Sequence, residues 1–250
     1  MEFGKCKLCL EDKPLCDSHL VPEALYRFCR RGGHTPISMT AEEVGPSDDE
    51  VTAPVLCRDC EDHLNKHGEN WLIPKLATEQ KFPFYDLVTK QKGVPAGEQI
   101  RYSCIGDQIG VRKLTTFAIG VFWKASAHSW HMSGPHPLIE LGKYREEFRL
   151  FLKERGKFPE HAALMVLIMP PDKSTEGFNL PDPRKTKPFH QYVFTVPGII
   201  FLLCVGRGIG AERKAECFFS DPAHPILLGD FRDHVLRMAL YDSRDANWLI

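Results

Sequence analysis

The chain has 250 residues, 43% of them apolar and 26% charged, with a formal net charge of −1. That balance fits one large or two small globular domains and excludes a low-complexity or strongly basic chain. The longest apolar run, Val196 to Val205, is interrupted by Pro197 and Gly198 and is too short to cross a bilayer, so no membrane is expected.

The first element is a metal motif. Cys6-Lys-Leu-Cys9 opens the chain, and Cys57-Arg-Asp-Cys60 answers it downstream. Two such pairs supply four thiolates, the donor set of a closed tetrahedral zinc site. Free cysteines behave as small buried hydrophobes, whereas these sit at ligand spacing among Lys, Arg, Asp and Glu. Nine cysteines, an odd number clustered in ligand pairs, point to a reducing cytoplasm and not to a disulfide scaffold. Met1-Glu-Phe-Gly-Lys-Cys runs into the motif without a signal-peptide pattern. A turn at Glu11–Pro14 and a brief strand at Leu15-Cys16 lead to His19. Pro22 to Arg31 is a helix, with Leu25, Tyr26 and Phe28 at helical spacing, ended by Gly32-Gly33. Residues 32–54 are rich in Gly, Pro, Ser and acid and form a loop with room for a hairpin. Cys57 to about Trp71 is helical, broken by Gly68 or Pro74. Residues 1–75 carry nine Lys/Arg against fourteen Asp/Glu, a balance of −5 that leaves +4 for the rest. This module therefore has no broad basic face for DNA.

Residues 72–112 are the least patterned and hold the expected seam between a module at 1–78 and a second domain at 79–250. Lys92–Gly97 marks a turn, and Arg101 to Val111 forms paired strands around Gly106-Asp107. Thr116 to Lys124 is expected as helix. Leu138 to Gly156 is the strongest amphipathic helix, with Leu141, Tyr144, Phe148, Phe151 and Leu152 on its apolar face. Ala163 to Met169, Phe189 to Val196 and Ile199 to Val205 are strands, and Leu227 to Tyr241 is a closing helix. The class is α+β.

Cys6-x-x-Cys9, Ser18-His19-Leu20-Val21-Pro22 and Leu56-Cys57-x-x-Cys60-Glu61 together resemble the HNH endonuclease superfamily. Phe117-Ala-Ile-Gly-Val-Phe-Trp and Leu141-Gly-Lys-Tyr-Arg-Glu-Glu-Phe-Arg resemble the C-terminal α+β domain of one bacterial group within it. The resemblance implies an N-terminal treble-clef, or ββα-metal, zinc module. It also implies metal-dependent hydrolysis of phosphodiester bonds in DNA, in bacterial defence. His19 would be the general base that deprotonates the attacking water. The acid that normally precedes it is Ser18 here, with Asp17 one step back. A one-residue shift turns a strand side chain to the other face. Asp17 and Glu61 would be ligands of a catalytic Mg²⁺ or Mn²⁺. Asn65, one turn beyond Glu61, would orient His19 or a phosphate, and Arg27, Arg30 and Arg31 would grip phosphates.

Plainer readings stand beside these. The module can be a non-catalytic zinc unit that binds nucleic acid or protein, which Ser18 and the acidic balance favour. It can also be a structural staple on a C-terminal domain that binds a small ligand or a protein partner. His63 and His67 are a wet helix face or a metal pair. Cys16 and Cys29 are packing residues, and His128, His131 and His136 lie in a loop.

Overall fold

The computed structural model describes residues 2–31, 35, 37–39, 44–105, 109–131, 137–173, 177–184, 187–219 and 222–231. Strands of mixed burial build the N-terminal sheet, and strands buried on both faces, Ala162–Ile168 and Ile199–Val205 among them, form the middle of the larger one. β1 (Phe3–Lys5), β2 (Asp12–His19) and β5 (Thr52–Cys57) form an antiparallel sheet in the order β1-β2-β5. Between β2 and β5 lie α1 (Glu23–Cys29) and the hairpin of β3 (Ile37–Met39) and β4 (Val44–Pro46). α1 buries Leu25, Tyr26 and Phe28, the spacing that marked it as a helix. α2 (Arg58–Leu64) starts directly after β5, so β2, β5 and α2 make a ββα unit.

The helical path does not break at Gly68. It runs through a π-turn (Asn65–Glu69) into α3 (Asn70–Leu72) and a 3₁₀ turn (Ile73–Lys75). Gly68 serves a close approach instead. A Cβ there would lie 2.9 Å from the backbone nitrogen of Phe117.

α4 (Pro83–Thr89) precedes β6 (Lys92–Ala96) and β7 (Gln99–Ser103). Lys92–Ala96 is thus a strand and not a turn. The reversal falls at Gly97, whose φ of +63° suits glycine. The paired strands expected at 101–111 lie earlier, and Gly106-Asp107 falls outside the described residues. α5 (Val111–Ala127) and α6 (Tyr144–Leu152) follow, then β8 (Ala162–Ile168), β9 (Asn179–Arg184), β10 (His190–Val196), β11 (Ile199–Val205), α7 (Ala211–Ala215) and β12 (Pro225–Leu228). The seven-stranded sheet runs β6-β7-β12-β8-β11-β10-β9, antiparallel except at β12–β8. Leu227-Leu228 belongs to β12 and not to a closing helix. The remainder of that expected helix, from residue 232, lies outside the described residues. α6 is shorter than its apolar pattern, because Gly142 (φ +52°) and Glu154 (φ +57°) bend the chain at either side.

Every residue of β8 and β11 is buried. On one face α5 packs Phe117 and Phe122 against Phe194 and Phe201. The other face buries Met165, Leu167, Val193, Ile200 and Leu202 with Ile209 and Cys217. One apolar core runs from Leu8 and Leu64 through Leu72 and Phe82 to Phe117, Phe151 and Phe201, so it is continuous across residue 78. Each such phenylalanine contributes roughly 1.5–3 kcal/mol by leaving water. The class is α+β, with the four cysteines converging at its N-terminal end. Among the described residues no helix is long and apolar enough to cross a membrane.

Candidate metal centre and the histidine beside it

The first cysteine pair sits on a knuckle between β1 and β2. Its backbone closes on itself through Leu10 N–H to Cys6 O at 2.9 Å and Cys6 N–H to Glu11 O at 2.9 Å. Leu10 takes a φ of +66° to make that turn. Cys57 ends β5 and Cys60 lies in the first turn of α2, so the ββα unit itself delivers the second pair. Lys7 N–H donates to Val55 O at 3.0 Å and Cys57 N–H donates to Cys6 Sγ at 3.4 Å, which pins the knuckle to β5. All four Sγ atoms lie within 4.8 Å of one another, with Cys9 and Cys57 at 3.9 Å. A tetrahedron with Zn–S bonds of about 2.3 Å has S···S edges of roughly 3.8 Å, so the cluster fits such an ion with small adjustment.

The proton chemistry agrees. A hydrogen bond from Cys60 holds the Cys6 thiol down at about 4, while the same contact and burial push Cys60 far above the usual range. One thiol of the cluster, Cys6, is thus held toward its thiolate while Cys9 and Cys60 keep their protons, which a divalent cation would have to displace. Arg149 of α6 donates to Leu8 O at 2.6 Å, so the C-terminal half braces the knuckle. Among the described residues these cysteines are the one cluster of three or more metal-ligating side chains.

His19 ends β2. A bulge between Cys16 and Asp17 precedes it. The register skips Val55, and Ser18, paired with Ala53, reaches back to the bulge: its hydroxyl accepts from Leu56 N–H at 3.1 Å, and the residue is 1% exposed. Ser18 is therefore a backbone-satisfying residue and not a neighbour of the imidazole. Asp17 is exposed and makes no hydrogen bond or ion pair among the described residues. His19 Nε2 lies 2.6 Å from Glu50 Oε2, and Glu50 Oε1 accepts from Arg30 Nη1 at 2.5 Å. Arg30 Nη2 also donates to Asp48 O at 2.7 Å. Burial pushes the Glu50 carboxyl up, but the hydrogen bonds from His19 and Arg30 outweigh it and hold the group below the usual range. An ionised carboxylate only accepts, so it assigns the proton of a neutral imidazole to Nε2. Nδ1 is left with its lone pair and has no partner among the described residues. Tyr26 stands 5.9 Å away, ring to ring, its hydroxyl accepting from Val51 N–H at 3.1 Å.

A scan of protein-family models, a search of curated proteins and a search of solved structures return no match for this chain.

Behind His19 lies a buried charge cluster. Lys124 of α5, 2% exposed, donates to His19 O at 2.7 Å and faces Glu69 Oε1 at 3.6 Å. Burial raises the Glu69 carboxyl; Glu61 pushes the same way, and Lys124 opposes both. Glu61 Oε1 is buried without a hydrogen-bond partner. That oxygen is one hard donor for a second cation. Asp17 is exposed elsewhere and Glu69 is matched by Lys124, so the described residues gather no cage of hard donors for Mg²⁺ or Mn²⁺ around it.

The other candidates divide. Asn65 is half-buried in the π-turn, and its side chain makes no hydrogen bond among the described residues. Arg30 is committed to Glu50 and Asp48. Arg27 is exposed with Glu23 at 3.6 Å, and Arg31 lies over the Phe28 ring at 4.4 Å. His63 Nε2 lies 2.8 Å from Leu152 O and its ring 4.5 Å from that of His67, a link to α6. Sequence reasoning passed over Glu50, Glu69 and Lys124. Lys124 did leave a signal: a lysine inside Val121-Phe-Trp-Lys-Ala-Ser needs a buried partner.

Proposed function

We propose that this chain is an HNH-type nuclease that hydrolyses phosphodiester bonds in DNA, with zinc in the Cys6, Cys9, Cys57 and Cys60 cluster as a structural staple. The observation that carries the reading is the dyad of Glu50 and His19 at the end of β2, 2.6 Å apart. Both side chains are about one quarter exposed, so solvent reaches a base that protein groups have oriented. In the proposed step a water on Nδ1 gives up its proton as its oxygen attacks phosphorus, the P–O bond to the leaving sugar oxygen breaks, and that oxygen takes a proton from solvent. The imidazolium that forms is stabilised by Glu50 across the Nε2 hydrogen bond, and Arg30 holds Glu50 in place. A positioned base of this kind contributes about 10²–10⁴-fold in rate. Arg27 and Arg31 remain exposed for phosphate contact, while Arg30 is a positioning residue. Four thiolates leave zinc no open position, so it holds the fold and does not activate water. A bacterial cytoplasmic setting and a defence role accompany the reading through the resemblance of its motifs.

The test is cleavage of duplex and single-stranded DNA by wild type and His19→Ala, with and without Mg²⁺ or Mn²⁺. Loss of cleavage with unchanged zinc content and melting temperature supports the reading. A second reading has its own observation. Ser18 is bound to the backbone beside the bulge and Asp17 is exposed, so neither takes the place of the usual acid. A non-catalytic zinc module that binds nucleic acid or protein fits that arrangement. It forecasts no hydrolysis with any cation, and a His19→Ala protein that loses stability instead.

A further inference from the structure

We infer that Lys124 is a positioning residue for His19, and that the C-terminal half of the chain is therefore part of the site. This rests on the reading of His19 as the base. Lys124 is one of few charged side chains in the core, and it sits on α5, far along the chain from the zinc motif. A buried ammonium persists only when it is paired and hydrogen-bonded. Lys124 meets both conditions: Glu69 Oε1 faces it at 3.6 Å and the His19 carbonyl accepts from it at 2.7 Å.

The carbonyl matters because of where it lies. His19 is the last residue of β2, pairing with Thr52, and the chain then turns toward Pro22. Leu20 N–H is bound by Val51 O at 2.9 Å. The Lys124 ammonium anchors the peptide on the other side. His19 is thus fixed at two points, its imidazole by Glu50 and its backbone by Lys124. The lysine is itself held by the packing of its helix. Gly68 lets the π-turn that carries Glu69 lie directly on the Phe117 backbone of α5, and Trp130 Nε1–H donates to Lys124 O at 3.2 Å. Freeing one of the two anchors lets the imidazole wander, and misplacement by about 1 Å costs on the order of 10²-fold in rate.

The decisive variant is Lys124→Met/Glu69→Gln, which removes the charge pair without leaving either ion alone. In full-length, zinc-loaded protein the proton on His19 Nε2, shared with Glu50, should give a distinct low-field NMR resonance in wild type. The inference expects the double variant to fold, to keep one zinc, and to lose or strongly broaden that resonance. Its kcat on DNA should fall about 10–100-fold at little change in KM. If the double variant does not fold, Lys124→Arg carries the test. It keeps the charge but moves the donor, and the resonance must shift. An unaltered resonance in either folded variant would overturn the inference and leave Lys124 a plain core ion pair. A displaced resonance in a protein that never cleaves DNA would uphold the positioning role and remove the nuclease reading instead.

Discussion

Replacing Gly68 with alanine tests how closely the two halves are fitted. The new Cβ would stand 2.9 Å from Phe117 N, 3.0 Å from Phe117 Cα and 3.2 Å from Phe117 Cβ. Two of these atoms are backbone, so no side chain can swing away, and the π-turn and α5 must separate. Overpacking of this kind costs about 1–3 kcal/mol. Alanine recovers roughly 0.8–1 kcal/mol over glycine in a helical position. The clash is with main chain and falls under 3.0 Å, so the upper part of the overpacking range applies. The net is a loss of about 1–2 kcal/mol. For a chain of this size each kcal/mol moves the melting temperature by about 2–4 °C, so a drop of about 2–8 °C is expected in calorimetry. The same separation pulls Lys124 from His19, so any DNA cleavage should fall more than stability does. A melting temperature equal to or above wild type would refute the close approach and the helix contact built on it.

Elemental analysis should find about one zinc per chain, and removal by a strong chelator should unfold the N-terminal sheet, because the ion binds only the folded cluster. Cys57→Ser should lower both zinc content and soluble yield; zinc-free protein of normal stability would contradict the site. Restoring the missing acid with Ser18→Asp should destabilise the chain without activating it, because the buried side chain faces Leu56 N–H beside the bulge; a more active and equally stable variant would refute that placement. The carboxyl of Glu50 is depressed in the folded state, so its contribution to stability is present above the ordinary carboxylate range and is lost as pH falls through the lower folded value. Glu50→Gln should therefore be less stable at neutral pH and show a flatter loss on acidification; an acid limb as steep as wild type would show that Glu50 is not the linked group.

The metal cluster was legible because ligand spacing is a local property. Cys-x-x-Cys fixes two thiolates within one turn, whatever the rest of the chain does. His19 was legible in position but not in company. Glu50 lies in Asp48-Asp49-Glu50, and an acidic run in a loop carries no mark of the member that turns inward. Arg30 looked like a phosphate contact because its sequence neighbours are arginines, yet Glu50 and Asp48 occupy its guanidinium. The bulge at Cys16/Asp17 decides that Ser18 is buried and Asp17 is not, and one added residue in a strand leaves no compositional trace. In the second half, β8 and β11 announced themselves as unbroken apolar runs, whereas the equally buried β12 is too short to do so and its Leu227 reads as the start of a helix. β6 did not, because Lys92-Gly-Val-Pro-Ala has turn composition and owes its strand state to pairing with β7. The continuity of the core across residue 78 was equally hidden, since helix-on-helix contacts such as Gly68 against Phe117 join residues 49 apart in sequence.

The proposed role of His19, oriented by Glu50 as a general base toward a phosphodiester, is open to direct kinetic test. The most direct measurement is the single-turnover rate of DNA cleavage by wild type and His19→Ala at matched zinc content. If His19 is the base, the rate should fall about 10²–10⁴-fold with an unchanged melting temperature. Cleavage that survives His19→Ala undiminished would contradict it.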